Sequence, residues 1–479
     1  MAKAGKSETK ISIRMYRVGE LGDCFLLTAV HKSIIRHLLI DCGSFRNGKN
    51  SVDRMRAIAM DIQKKVLAEG KRLHVVAGTH QHNDHVSGFV HAKDIFEKMK
   101  IEQVWLSWLD NPRSKVATTI GEEHLKLRAA LDKSSEELKA LARKRAARGA
   151  SPSALKHLSE QKVLVDQLLG FFAAPALPSE GIRILKGIGE NDVDYLNPGD
   201  LRVIPGIPAS EIKIHVLGPP RDQELLYRKD PRKGESYDHK LHAMNSMSKH
   251  FLQAVSNQLK GAENEEYDFP FNRTYKRFSG PSKTWSNHLK EVVKSYNVPD
   301  NAWRNIDDDW LEQASRLALY MDTFTNNSSL ALAIELVKSE KVLLFAADAQ
   351  TGNWLSWEKV KFKDKNASVD NLLERTVFYK AGHHGSHNST LKPIFEKITG
   401  NELVVMIPVD KTDPNIRKTG GWKMPAAKLF DRLKEKSENR VLRMDEGYAR
   451  NCEPKGRTNQ WSRVGKVDIT DLYIEYTIS

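Results

Sequence analysis

The sequence predicts an α/β protein that carries helical insertions. Short apolar runs closed by Gly or Asp recur through the first 110 residues and again beyond residue 326, as the strands of a buried sheet do. Between them, two stretches turn charged and helix-periodic. At 479 residues the chain has the length of about three domains, or of one large domain with insertions.

Taken in order, residues 1–110 form the N-terminal half of a core. Ile11 to Tyr16, Cys24 to Ala29 and Leu38 to Gly43 read as strands. Ser51 to Leu67 reads as a helix, because Met55, Ile58, Ile62 and Val66 fall on one face. His74 to Ala77 is a short strand that enters a polar loop at Gly78, and Trp105 lies in another strand. Residues 111–180 are expected as a basic helical insertion, with Leu127, Leu131 and Leu138 on one arm, a break at Gly149-Ala150-Ser151-Pro152 and a second helix after it. Core strands are expected at 181–220, where Ile212 to Leu217 ends in Gly218-Pro219-Pro220.

A second, mainly helical insertion spans 221–325. Trp285, Leu289, Val292 and Tyr296 share a face of one helix that stops before Pro299, and Asp309 leads Trp310, Ala314, Leu317 and Met321 into another. Residues 326–479 form the C-terminal half of the core, with strands at Leu330 to Leu336, Val342 to Ala346, Val377 to Lys380 and Leu403 to Ile407. A helix from Ala426 to Lys436 and a strand from Tyr473 to Tyr476 close the chain. No internal repeat or low-complexity segment is evident.

Composition narrows the partners. Seventy-five Lys and Arg against 61 Asp and Glu leave a net charge of +14, which attracts polyanions in a salt-dependent way, or else simply keeps a large protein in solution. Cys24, Cys42 and Cys452 show no C-x-x-C spacing, which excludes a disulfide framework and a cysteine zinc knuckle and points to a reducing compartment. The polar start and the lack of any apolar run of about 18 residues predict a cytoplasmic protein with no membrane partner. The oligomeric state is not legible.

Thr79-His80-Gln81-His82-Asn83-Asp84-His85 carries the chemistry. Side chains two apart in extended chain point the same way, so His80 and His82 can hold one metal, and a turn after them can aim Asp84 and His85 at a second. H-x-H-x-D-H after a strand is the hallmark of the metallo-β-lactamase fold hydrolases, which the sequence resembles. That resemblance implies a four-layer αββα sandwich with two helical insertions. Leu343 to Asp348 looks like the strand that delivers the family's metal-bridging aspartate, Asp348. Tyr379 to Ser386 resembles the segment that supplies the last histidine ligand; His383 is preferred, with His384 as the alternative.

Four further motifs narrow the resemblance to the ComEC-like subgroup: Val18 to Asp23, Asn326 to Leu330, the His-His-Gly-Ser motif, and Val441 to Gly447. The match covers roughly 11–110, 212–220 and 326–450. It departs from the family in two places. No ligand stands at Leu217-Gly218-Pro219-Pro220, where a third histidine normally lies, a gap the subgroup shares, and Met424-Pro425 replaces the subgroup's His-Pro. His215, nearby, reads as a strand histidine with its own hydrogen bond.

The resemblance implies one or two divalent ions, Zn²⁺ or Mn²⁺. Asp84, His85, Asp348 and His383 would bind one, and His80 and His82 with bridging Asp348 the other. Asp84 counts among the catalytic groups, His384 or His387 would donate a proton to the leaving oxygen, and Ser386, Asn388 and Ser389 would hold the scissile phosphate. Asp23 and Asp41 are expected to order the ligand loops. The basic run Lys139, Arg143, Lys144, Arg145 and Arg148, and the aromatic and basic stretch from Tyr267 to Phe278, suit a nucleic-acid strand. The leading expectation is a metal-dependent phosphodiesterase or nuclease acting on DNA or RNA through a metal-activated water. The alternatives are a hydrolase of small acyl or phosphate esters, and a nucleic-acid-binding protein with a non-catalytic metal site.

Overall fold

A computed structural model describes residues 9–147, 149, 152–170, 179–228, 286–296, 314–418, 421–455 and 460–479. The chain forms two compact units. The first comprises Met1–Gly121, Gly170–His242 and Thr323–Ser479, and the second Glu122–Leu169 and Ala243–Asp322. The two stretches expected as separate insertions therefore contribute to one unit. Trp285, Asp309, Trp310 and Tyr267 to Phe278 lie outside the described residues.

The first unit is α/β and holds two eight-stranded mixed sheets. Strands of the first half are β1 (Thr9–Tyr16), β2 (Cys24–His31), β3 (Ile34–Cys42), β4 (Leu73–Ala77), β5 (Ile101–Ser107) and β6 (Asp194–Leu196). Those that follow are β7 (Leu201–Arg202), β8 (Ile212–Val216), β9 (Leu332–Leu336), β10 (Lys341–Phe345), β11 (Thr376–Lys380), β12 (Val404–Ile407), β13 (Val441–Arg443) and β14 (Gly447–Tyr448). β15 (Gly465–Ile469) and β16 (Tyr473–Ile478) return to the first sheet. The orders are β15-β16-β1-β2-β3-β4-β5-β6 and β14-β13-β12-β11-β10-β9-β8-β7.

The period-2 alternation of strand side chains sorts the layers. Leu343 and Phe345 of β10 point into a core shared with β1 and β2, whereas Val342 and Leu344 pack with Trp354, Leu372 and Leu429 on the other face. Phe25 of β2 meets Phe345 edge-on, with centroids 5.9 Å apart, so the sheets face each other there. Met15 sits opposite Phe25, and the neighbouring Arg14 and Tyr16 reach the other way to Asp61 of the helix Lys49–Ala68, at 2.7 and 2.8 Å. Helices thus cover both outer faces of the paired sheets. Strands β3 to β6 run parallel, as do β10 to β13, and a ligand site belongs at the carboxyl ends of such strands.

The stretch 181–220, expected as strands alone, begins with the helix Glu180–Ile188. Gly181 lets it approach the helix Asn83–His91, since a Cβ there would lie 2.5 Å from Val86 O. In the second unit, Leu127, Leu131 and Leu138 are buried as their spacing predicts, and Ser135 donates to Asp166 between the helices Lys115–Ala147 and Pro152–Gly170. Val292, on the helix Asn287–Tyr296, is exposed. Among the described residues, no helix is long and apolar enough to cross a membrane.

Candidate metal centre

β4 ends at Ala77, and the loop beyond it bends at Gln81 and is extended at His82 before turning into the helix Asn83–His91. Asp84 and His85 therefore sit in a helical first turn. Asp41, at the end of β3, holds this loop: its Oδ1 accepts from Thr79 N at 2.8 Å, and its Oδ2 accepts from Thr79 Oγ1 and from His85 Nδ1, both at 2.7 Å. With Nδ1 donating to a carboxylate, it is Nε2 of the His85 ring that would give up its proton and offer a lone pair to a cation. Gly43 allows the close approach, because a Cβ there would lie 2.4 Å from His85 N.

The second half arrives through strained backbone. Ala347, His383 and His384 are non-glycine residues with φ of 49°, 41° and 54°, and in the first half Asp41 has a φ of 58°. Such conformations cost about 1–3 kcal/mol each and gather at functional sites. They bring the second set of groups against the first. His85 Nε2 lies 3.0 Å from Asp348 Oδ2 and 3.8 Å from Asp84 Oδ2, and His384 Nε2 lies 3.0 Å from Asp84 Oδ2 and 3.8 Å from Asp348 Oδ2. His384 Nδ1 donates to Pro408 O at 2.7 Å. Asp23 approaches from the other side of both rings, 3.8 Å from His85 Nδ1 and 3.6 Å from His384 Nδ1. Asp23, His85, Asp348 and His384 form a buried cluster that could hold a metal ion.

The electrostatics favour a cation. Four carboxylates, of Asp23, Asp41, Asp84 and Asp348, are each at most 1% exposed. Against them stand the ammonium of Lys380, also 1% exposed, and the rings of His85 and His384, which, against the opposing effect of burial, these carboxylates raise above the ordinary histidine range. Burial opposes charging His85, yet Asp348, Asp23, Asp41 and Asp84 raise its pKa well above the ordinary histidine range. Burial likewise opposes charging Asp348, yet His85 and Lys380 hold it well below the usual carboxylate range. Burial pushes His80 far down, His82 to about 3 and His383 to about 4, which leaves these rings neutral and able to act as donors. Asp84 Oδ1, His85 Nε2 and Asp348 Oδ2 are buried without a hydrogen-bond partner. Bare buried oxygen and imidazole donors around an excess of negative charge fit a divalent cation.

His80 Nε2 and His82 Nδ1 lie 3.2 Å apart, and the His80 ring centroid is 4.1 Å from that of His85, so this pair adjoins the cluster. Ser329 links the two groups, with Oγ 3.4 Å from His80 Nδ1 and accepting from Asp348 N at 3.2 Å.

Two expectations change place. His384, not the preferred His383, enters the cluster. His383 turns its Nδ1 to within 3.3 Å of Gln350 Nε2, and its backbone N donates to Asp348 Oδ1 at 3.0 Å. The proton-donor role expected of His384 does not suit a buried ring with both nitrogens engaged. His387 is half-buried. Ser386 Oγ donates to Asn388 Oδ1 at 2.9 Å and Ser389 Oγ to Ser386 O at 2.7 Å, so these three side chains build the turn rather than reaching outward. Arg143 and Lys144 are exposed and Arg145 is half-buried, all three in the second unit, and Arg148 lies outside the described residues.

At the missing-histidine position, a Cβ on Gly218 would lie 2.2 Å from Asn353 Oδ1, so backbone packs there against a side chain. His215 Nε2 bonds Glu335 Oε2 at 2.8 Å, as a strand histidine should. The sequence places Lys380 and Ser329 inside two of the motifs named above but assigns neither a role at the site.

Fold and site together define an α/β protein with a buried candidate metal centre at the carboxyl ends of its parallel strands. In comparisons with known proteins, no family model and no curated protein matches the chain.

Proposed function

We propose that this protein is a metal-dependent hydrolase of the metallo-β-lactamase fold, acting on a phosphodiester and most readily on a nucleic acid. The observation that carries the reading is the convergence of His85 Nε2, His384 Nε2, Asp84 Oδ2 and Asp348 Oδ2, contributed by both halves of the core. The layering of helices outside two facing sheets supports it, being the order that the resemblance implies.

In this reading Asp84, His85, Asp348 and His384 hold one cation, Zn²⁺ or Mn²⁺, and His80 and His82 with Asp348 hold a second. Asp84 takes the fourth place rather than Asp23, because Asp23 is ion-paired with Lys380 and faces the Nδ1 side of both rings. A divalent ion held here would supply Lewis acidity and the means to activate water near neutral pH. The chain's own residues orient that chemistry: Asp41 fixes the His85 ring, the Pro408 carbonyl fixes the His384 ring, and burial excludes bulk water. The net charge of +14 and the exposed Arg143 and Lys144 suit a polyanionic substrate.

The test incubates purified protein and Mn²⁺ or Zn²⁺ with single-stranded DNA, double-stranded DNA, RNA and bis-p-nitrophenyl phosphate. Hydrolysis that a chelator abolishes and Asp84→Ala removes is expected. Metal binding without turnover of any of the four would reject the phosphodiesterase reading.

A further inference from the structure

Asp348 is a carboxylate with two unlike oxygens. Its Oδ1 receives Lys380 Nζ at 3.2 Å and His383 N at 3.0 Å, whereas Oδ2 has no hydrogen-bond partner and lies 3.0 Å from His85 Nε2. Lys380 is 1% exposed and ends β11. Its ammonium also donates to Ala347 O at 2.8 Å and pairs with Asp23 Oδ2. Ala347 is the residue before Asp348 and adopts a left-handed φ of 49°. One ammonium therefore holds the strained peptide, one oxygen of the carboxylate that follows it, and the carboxylate of Asp23.

We infer that Lys380 is a positioning residue of the metal centre: it saturates Oδ1 of Asp348 so that Oδ2 alone faces the cation, and it keeps Asp23 on the far side of the histidine rings. Its position, not its charge, is what serves the metal. A positive charge beside a cation site weakens cation binding by Coulomb repulsion. A lysine that only balanced the carboxylates would therefore be one whose removal tightens metal binding, whereas removing a positioning lysine loosens it.

That opposition of sign makes the inference testable by metal affinity, without a substrate. The chelator-stripped full-length protein is titrated with Mn²⁺ and with Zn²⁺ by calorimetry, as wild type, Lys380→Met and Lys380→Gln, with melting temperature and circular dichroism as fold controls. Both variants are neutral, but the glutamine amide can still donate to Ala347 O or Asp348 Oδ1. The expected result is about 10- to 100-fold weaker binding for Lys380→Met, the range for loss of an outer partner of a metal ligand, and a smaller loss for Lys380→Gln. Binding by folded Lys380→Met as tight as wild type, or tighter, overturns the inference, as does equal weakening in both variants. Should Lys380→Met not fold, Lys380→Gln decides alone: weaker binding supports the role, and equal or tighter binding rejects it. The inference rests on Asp348 being a metal ligand. Wild-type protein that binds neither ion would instead remove that premise.

Discussion

The two halves of the core repeat one topology. β1 to β6 pair as antiparallel, antiparallel, parallel, parallel, parallel, and β8 to β13 pair in the same succession. Each half places left-handed backbone beyond or at the end of its third strand, at Asp41 and at Ala347, and sends a histidine-bearing loop out of its fourth. The halves differ in what those loops deliver. After β4 the loop becomes a helix and supplies His80, His82, Asp84 and His85. After β11 it closes in one tight turn, Gly382–Gly385, which sends His384 into the cluster, and its strand ends in Lys380 where β4 ends in Ala77. Within this repeated frame one half carries most of the candidate donors, and the other adds a carboxylate, one histidine and the buried Lys380, which pairs with Asp23 and Asp348.

The comparison breaks first if either half can be stripped of its ligand without effect. Asp84→Ala, His85→Ala and Asp348→Ala should each cut hydrolysis more than about 100-fold, beyond what loss of an outer partner costs, with the fold retained by circular dichroism. Near wild-type turnover in any of them, with contaminating metal excluded, would deny that both halves build the reacting site.

The C-terminal loop is sharpened by its adjacent histidines. His384→Ala should lose metal and activity as Asp84→Ala does, while His383→Ala should keep metal affinity within about 10-fold, the lower bound for an outer partner. Metal titrations of the two variants decide this, and the reverse order would return the ligand role to His383. In the N-terminal half, Asp41→Asn removes the carboxylate that orients His85, and about 10- to 100-fold weaker metal binding should follow.

A smaller effect concerns stoichiometry. His80 and His82 come from one half and share only Asp348 with the other, so purified protein should retain one tight metal and lose a second on dialysis. Metal analysis alongside activity during a titration checks this, and two equally tight ions would show that further groups complete the first pair. Smallest, and confined to the second unit, is charge reversal at Arg143, Lys144, Arg145 and Arg148. If nucleic acid is bound there, its salt dependence should flatten by up to about 0.9 in slope for each phosphate that is no longer neutralised. An unchanged slope would make that face a solvated one.

Much of the site was legible because its chemistry is local. His80 to His85 read as metal-binding from residue type and spacing, since extended chain and the turn after it fix side-chain direction over a few residues. The core strands and the burial of Leu127, Leu131 and Leu138 were legible for the same reason: periodicity records which face is covered. The repeat of the two halves was not, because backbone pairing direction leaves no mark in residue identity.

The choice between His383 and His384 also lay beyond sequence, since it depends on left-handed φ angles at both residues and on the Pro408 carbonyl 24 positions away. Lys380 shows the limit most plainly. Its side chain is one more polar tip on a strand until β10 and the β1–β2 loop bring Asp348 and Asp23 to it, across 32 residues of chain in the first case and most of the core in the second. Composition and short-range pattern thus determined most of the core strands and the candidate donors from His80 to His85. Only the tertiary structure decided which buried charges meet, because the energy of a buried ion pair depends on distance in space and not on separation along the chain.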